Sequence, residues 1–424
     1  MNIGIIIGRI GDIDGVALET EKWIEVLQKL GHKIYIFSGN FKRTIVGKKN
    51  ETSWRALSFF SPECEWEQNR AFFFPEFEQK ELLNHLEDTS NIIASQIFKW
   101  VLKKKIDVIL TENSTSLPCH LSMGIGIKKF VQNSNISVVS HDHDFYWERG
   151  NRYKTPHKKI KEIIGNTFPL ILPNVRHAVI NTYSMNIFKE KYNINPMIVP
   201  NVMDFKKKFA DKDLYNQDLL SELGLEKNDI PIFQITRIVR RKGIEVAIDM
   251  IHRLQDKRVK LIITGSAIDD SRKGYYKELL IKIKNKKMSN QVIWGHRRIL
   301  NQRKLGWKGQ KNYNLSDAYS NAVSCTYFSS YEGFGNAFVE CALAKKPIFV
   351  NNYKPVYWAD IGSKGFSTVM LEDNILTNNA LIEIEKIIHN KKLQKEIGEF
   401  NYSIAKKHFS FEVLENKLTK LFKF

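Results

Sequence analysis

Long hydrophobic runs are missing from this chain of 424 residues. None approaches the roughly 18 apolar residues that a membrane-spanning helix needs. The apolar start, IGIII at 3–7, is short and bounded by glycines, and it reads as a buried first strand rather than a signal peptide. Cysteine is scarce. The four thiols, Cys64, Cys119, Cys325 and Cys341, form no close pair and no metal-ligand spacing, which argues against a disulfide scaffold and for a reducing cytoplasm. No GxxxxGK phosphate loop is present, and no Ser-His-Asp or Cys-His arrangement stands out. Repeats, low-complexity linkers and nucleic-acid-binding motifs are also absent, so no nucleic-acid partner is expected.

What is present is a globular composition, 43% hydrophobic and 12% aromatic. The length is too great for one ordinary core and suits two domains of about 200 residues. Acidic residues are outnumbered, and the formal net charge is +19. Residues 201–424 carry +14 of it and residues 1–200 only +5. A solvated lysine-rich surface and attraction to anionic lipid both remain open as its meaning. The expected location is cytoplasmic, with peripheral contact at the inner membrane face as the open alternative.

Apolar strand-like runs alternate with amphipathic helical stretches, which predicts an α/β chain with parallel sheets and crossover helices. Strands are expected near 3–7, 33–38, 107–110, 136–140 and 177–181. A second series is expected near 231–236, 259–264, 291–294, 323–328, 347–350 and 367–371. A turn at VPN (199–201) marks the boundary. Residues 41–77 are irregular and aromatic, with Trp54, Phe59, Phe60, Trp66, Phe72, Phe73, Phe74 and Phe77 forming either core or an acceptor or membrane-contact insertion. Residues 296–314 form a long basic loop suited to a nucleotide, a lipid surface or plain solvent.

Chemistry concentrates in SYEGFGNAFVECALAKKPIFVNN, residues 330–352. Glu332 and Glu340 lie eight apart, with the turn Gly333, Phe334, Gly335 between them and a helix start after it. Free backbone N–H groups and the positive end of the helix dipole make such a start a site for an anion. The carboxylates flank it, an arrangement that suits a ligand with phosphate in the middle and hydroxyls at both ends, a nucleotide-sugar. FQITRIVRRKG (233–243) reads as a strand, a basic turn and a helix start. Arg237 and Lys242 lie five apart across that turn, placed to close on a diphosphate.

These segments resemble the donor site of the retaining glycosyltransferases of family four, with the R-x4-K pattern at Arg237 and Lys242 and the E-x7-E pattern at Glu332 and Glu340. LGHKIYIFSG (30–39), VPNVMDF (199–205), LIITGS (261–266), SDAYSNA (316–322) and FSFEVLENKL (409–418) match in order, so the resemblance spans nearly the whole chain. It implies the GT-B fold: two Rossmann-like doubly wound domains facing a cleft. Residues 1–202 would bind acceptor and be completed by a helix at about 403–424, and residues 203–402 would bind the nucleotide-sugar. It implies transfer of a hexose from a UDP- or GDP-linked donor to a hydroxyl acceptor, with no protein nucleophile, metal or cofactor. Glu332 would meet the donor sugar, and Glu340 the ribose. Arg237 and Lys242 would neutralise the diphosphate. Gly265, Gly295 and His296 would join Gly333, Phe334 and Gly335 in holding the donor, backbone near Gly295 and His296 contacting the base.

The first half supplies the acceptor side. Asp14 is a candidate helix cap, and Gly15 lets a phosphate or sugar approach the backbone. The family has a glycine pair here, and the departure opens a role for Asp14 on an acceptor hydroxyl or as a cap alone. In SHDHDFYWERGNR (140–152), the resemblance implies a histidine near the donor sugar: His141 by register, with His143 as rival. Neither has further metal-ligand partners nearby in sequence. Arg149 and Arg152 suit a carboxylate or phosphate on an acceptor, or an ordinary ion-paired loop. HDFYWER (143–149) resembles the family's enzymes that build small glycerate-linked solutes. The acceptor is thus either a small anionic glycoside or sugar acid, or a cell-envelope glycolipid or polysaccharide precursor. Two alternatives stand beside this reading: a nucleotide-sugar epimerase of the same fold, and a non-catalytic nucleotide-sugar-binding protein.

Overall fold

The computed structural model describes the whole chain except residues 13, 76–78, 267, 269–273 and 307–308. Phe77 of the aromatic segment and two residues of the basic loop therefore lie outside the described residues. The chain divides into two compact units, Met1–Asn201 with Phe411–Phe424, and Val202–Ser410.

The first unit is built on seven parallel strands: β1 (Asn2–Ile7), β2 (Lys33–Ser38), β3 (Glu51–Ser53), β4 (Val108–Glu112), β5 (Ser137–Asp142), β6 (Val175–Val179) and β7 (Met197–Ile198). Their order is β3-β2-β1-β4-β5-β6-β7. The inner strands are apolar without alternation because helices cover both faces. Ile3, Ile5, Ile6, Ile109, Leu110, Val138 and Val139 are fully buried. The order reverses between β1 and β4, so the loops leaving their carboxyl ends diverge and open a crevice.

The second unit has six parallel strands: β8 (Ile230–Gln234), β9 (Val259–Ile263), β10 (Val292–Trp294), and, after a short antiparallel ribbon β11 (Lys304–Leu305) and β12 (Lys311–Asn312), β13 (Ser324–Tyr327), β14 (Ile348–Asn351) and β15 (Val369–Leu371). The sheet order is β10-β9-β8-β13-β14-β15. Here the reversal falls between β8 and β13, the strands that precede the basic turn and the Gly-Phe-Gly turn.

The eleven expected strands are present within a few residues. The edge strands β3 and β7 and the ribbon were not foreseen; at two or three residues each, they carry too little pattern to read. The C-terminal expectation of one helix over about 403–424 needs correction. Residues to Phe409 continue the helix Lys391–Phe409 of the second unit, held there by Phe409 packing edge-on against Phe334 at 5.4 Å. Ser410 is extended, and a separate helix, Phe411–Leu421, joins the first unit. It buries Leu414, Leu418 and Leu421, while Arg176 donates to the carbonyls of Leu421 (3.0 Å) and Lys423 (2.6 Å).

The aromatic segment is core only in part. Leu57 and Phe72 are buried and Trp54 and Phe59 pack on the core, whereas Phe60, Phe73 and Phe74 are exposed. Its helix Pro62–Gln68 is anchored by Glu67, a fully buried carboxylate that takes hydrogen bonds from His85 (3.1 Å), His120 (3.1 Å) and the Ser122 backbone (3.2 Å). The basic loop is largely ion-paired: Arg298 with Glu222, Arg303 with Asp213 and Asp317, and Lys311 with Asp218. Among the described residues no helix is long and apolar enough to cross a membrane.

Candidate functional site

In the second unit, β8 ends at Gln234, which ties two loops together. Its side-chain amide donates to the Lys242 carbonyl (2.8 Å) and its oxygen accepts from Thr326 of β13 (3.1 Å). The Ser330 N–H then donates to the Arg241 carbonyl at 2.8 Å. The basic turn is thereby fixed against the loop that carries Glu332. Lys242 and Glu332, 8% and 7% exposed, form a direct ammonium–carboxylate contact. Arg241 adds a second contact to Glu332 at 2.8 Å and also donates to the Tyr331 carbonyl. The Lys242 ammonium lies 5.0 Å from the Tyr327 ring centre, within cation–π range. Burial pulls the Lys242 pKa down against the pull of Glu332. For Glu332, burial pushes up, but Lys242 and Arg241 outweigh it and hold the carboxyl below its ordinary range. Arg237 is exposed, and among the described residues no ion pair engages its guanidinium.

The turn after Glu332 leads into the helix Asn336–Leu343, capped by Gly335 at φ 118°. A Cβ there would lie 2.3 Å from the buried Tyr353 hydroxyl, so both backbone conformation and space demand glycine. Phe334 is buried against Phe409, and Gly333 is partly buried beside it. Glu340, on the helix, accepts from the Tyr319 hydroxyl at 3.1 Å. Gly265 follows β9 where the loop after β8 passes so closely that a Cβ would meet the Thr236 carbonyl at 2.5 Å. Gly295 and His296 follow β10, and burial lowers the His296 pKa. Every residue expected on the donor side thus lies just after the carboxyl end of a strand in this sheet or in the helix that follows. Lys242 and Glu332 are in contact, Glu340 sits farther along the helix, and Arg237 stands apart on the surface.

In the first unit, the loops after β1, β4 and β5 carry the polar residues. Asp14 caps the helix Gly15–Lys29, accepting from the Ala17 N–H at 3.0 Å, and pairs with Arg9 at 3.0 Å. Gly15 has open space where a Cβ would stand. His141 and His143 are both buried, with ring centres 4.1 Å apart. His141 stacks on Trp23 at 3.9 Å, and its Nδ1 meets Glu112 Oε2 at 3.0 Å. The same oxygen lies 3.5 Å from His143 Nε2. Burial pushes the Glu112 pKa up to about 7 and the His141 pKa down to about 3. Glu112, His141 and His143 bring donor atoms within 4.8 Å of one another, which is enough by number and spacing to hold a cation; a hydrogen bond from His141 to Glu112 accounts for the approach equally well. Arg149 pairs with Asp144 of its own loop, and Arg152 lies over the Tyr153 ring at 5.4 Å; both are exposed.

Reading from sequence missed Arg241, Glu112 and Trp23. Arg241 adjoins Lys242 and escaped because the pattern names only its two ends, Arg237 and Lys242. Glu112 gave a signal that was available: a lone carboxylate at the carboxyl end of the apolar run VIL. Trp23, on a helix, gave none.

Known proteins resemble this chain in sequence and in fold. The family model of glycosyl transferases group 1 matches residues 216–403. The mannosylglucosylglycerate synthase of Thermotoga maritima is 32% identical, over 99% of this chain and 99% of that protein. The enzyme of the same name from Petrotoga mobilis is 31% identical over 88% of this chain and 86% of its own. Among solved structures, a glycosyltransferase from Rickettsia africae superposes with a TM-score of 0.67 at 15% identity, covering 100% of this chain and 97% of that one. HepE of Anabaena, solved with UDP and glucose, gives 0.63 at 13% identity, with 99% and 98% covered. These structures share the fold. On the likeness to the two synthases, full-length for the first, and the match across the second unit, the chain belongs to the glycosyl transferases group 1 family, with the GT-B fold.

Proposed function

We propose that this glycosyltransferase moves a mannosyl group from a nucleotide-linked donor to a glucosylglycerate, with retention of anomeric configuration and without a metal. The substrates follow the name borne by the full-length relatives, and a glycerate carboxylate gives Arg149 and Arg152 a partner of the right charge. The observation that carries the chemistry is the buried contact of Lys242 and Arg241 with Glu332, beside the capped start of the helix Asn336–Leu343.

In this reading the donor diphosphate lies against that helix start, where N–H groups and dipole favour it. Lys242 and Arg237 neutralise its growing charge as the bond from the sugar C1 to the diphosphate oxygen breaks. These cations do the work a metal does elsewhere. The acceptor hydroxyl attacks C1 from the face the diphosphate leaves, and its proton passes to the departing phosphate oxygen. Glu332 and His141 hold the donor sugar, Glu340 the ribose, and Gly265, Gly295 and His296 border the base. Asp14, Gly15 and His143 border the acceptor. Positioning and preorganised charge carry the rate.

The test is incubation of the purified protein with UDP- and GDP-linked mannose and glucosylglycerate, with the product linkage read by NMR. A disaccharide glycerate of the donor's anomeric configuration is expected, with undiminished rate in EDTA. An inverted linkage, or loss of activity in EDTA, overturns the corresponding part. Absence of transfer with either donor overturns the substrate assignment.

A further inference from the structure

We propose that Glu112 is a positioning residue that fixes the tautomer of His141, so that His141 offers its Nε2 lone pair to a hydroxyl of the bound sugar. The proposal rests on the reading of His141 as a sugar contact. Three observations carry it. First, the His141 ring is held as a plane, with Trp23 stacked at 3.9 Å and an interplanar angle of 20°, and with His143 tilted against it at 4.1 Å. Stacking leaves rotation within the plane and the choice of tautomer undetermined. Secondly, Glu112 Oε2 lies 3.0 Å from Nδ1, where in its ionised form it orients the ring and selects the tautomer. A neutral imidazole carries one N–H, and a carboxylate on Nδ1 keeps it there. Burial makes the neutral ring the stable form, its pKa lying near 3.

Thirdly, Nε2 of His141 is buried and has no hydrogen-bond partner among the described residues. Buried polar atoms are nearly always satisfied, so an orphan at the carboxyl end of a parallel strand is open to a partner from outside the chain, and a bound ligand is the one this position favours. Because the ring proton is engaged on the far side, that group must be a donor, and a sugar hydroxyl is one. An ether or fluorine at the same position would leave the nitrogen unmet and be rejected. Glu112 thus acts through His141 and touches no substrate itself.

The experiment labels histidine with 15N and reads the His141 tautomer by long-range proton–nitrogen correlation at pH 8, above the Glu112 pKa of about 7. His141→Gln assigns the signal. The expected result is Nδ1–H in the wild type and a shift toward Nε2–H in Glu112→Ala. Kinetics are measured alongside. Glu112→Ala should lose about 10- to 100-fold in kcat/KM for the donor, the scale for removing a carboxylate behind a functional histidine. Glu112→Gln, whose amide oxygen still accepts from Nδ1–H, should recover most of that loss. An Nε2–H wild type overturns the proposal, as does a Glu112→Ala protein with unchanged kcat/KM while His141→Gln is impaired. Unchanged kcat/KM in His141→Gln itself sinks the underlying role of His141 instead. If Glu112→Ala does not fold, the wild-type tautomer and the Glu112→Gln kinetics still decide.

Discussion

Removing either partner of the Lys242–Glu332 pair should have opposite effects on nucleotide binding. Both groups are more than nine-tenths buried. Truncating one partner of such a pair strands the other, at a cost of about 3–5 kcal/mol when nothing else compensates. Here Arg241 stays 2.8 Å from Glu332, so for Lys242→Ala we expect roughly half, about 2 kcal/mol, which is about 4–8 °C in Tm for a unit of this size. Glu332→Gln removes the charge that Lys242 guarded, and Lys242→Ala added to it should then cost little. The double-mutant cycle should show a coupling of about 1–2 kcal/mol. Binding separates the two roles. Lys242→Ala loses a charged hydrogen bond to the diphosphate and should weaken UDP or GDP binding by about 1.5–3 kcal/mol. Glu332→Gln frees the ammonium for phosphate, so it should bind the nucleotide at least as tightly while turning over more slowly. Calorimetry on the two single variants, with Tm for all four proteins, makes the comparison. A coupling below about 0.5 kcal/mol, or weaker nucleotide binding by Glu332→Gln, would refute the shared-cation argument.

Other outcomes follow from particular contacts. Glu340→Gln should weaken nucleotide binding by about 1–3 kcal/mol and leave turnover at saturating donor nearly intact; a fall in turnover alone would count against a ribose contact. Gly335→Ala forces an L residue to φ 118° with its Cβ 2.3 Å from the Tyr353 hydroxyl, and about 1–3 kcal/mol of strain should appear as lower Tm and weaker donor binding. Glu67 is held to a pKa of about 2 because hydrogen bonds from His120 and His85 outweigh the upward push of burial. Its folded pKa is thus depressed from the ordinary value of 4.5, so its contribution of about 3 kcal/mol is present above pH 4.5 and lost as pH falls toward 2. Glu67→Gln should lower stability at pH 7 and flatten the acid limb of a urea-midpoint profile; an unchanged limb would show that the carboxylate is not the cause.

The grouping of Lys242, Glu332 and Glu340 at neighbouring strand ends was legible because each segment is local in sequence. Arg237 to Lys242 spans one turn, and Glu332 to Glu340 spans one turn and the helix after it. Most of the eleven expected strands were legible because parallel strands buried on both faces tend to be uninterrupted apolar runs; nine of them are inner strands, and β10 and β15 are the edges of the second sheet. What sequence could not give is contact across strands. Glu112 and His141 are 29 residues apart and become neighbours only when β4 and β5 pair in register. Arg241 meets Glu332 only because Gln234 and Ser330 fix its loop against the one that carries Glu332, contacts no local pattern encodes. The C-terminal helix break at Ser410 was hidden because apolar spacing runs on through it; the packing of Phe409 on Phe334 decides where the helix stops.

The first unit takes its last helix from residues 411–424, and this sets an order of maturation on the ribosome. Residues 1–201 are made first, yet the surface that receives Leu414, Leu418 and Leu421 stays uncovered until synthesis reaches the end of that helix. The second unit has all of its own residues sooner. The later-synthesised unit is therefore the first able to close its core, and the earlier one waits, with an apolar groove open, for the whole of the other to be translated.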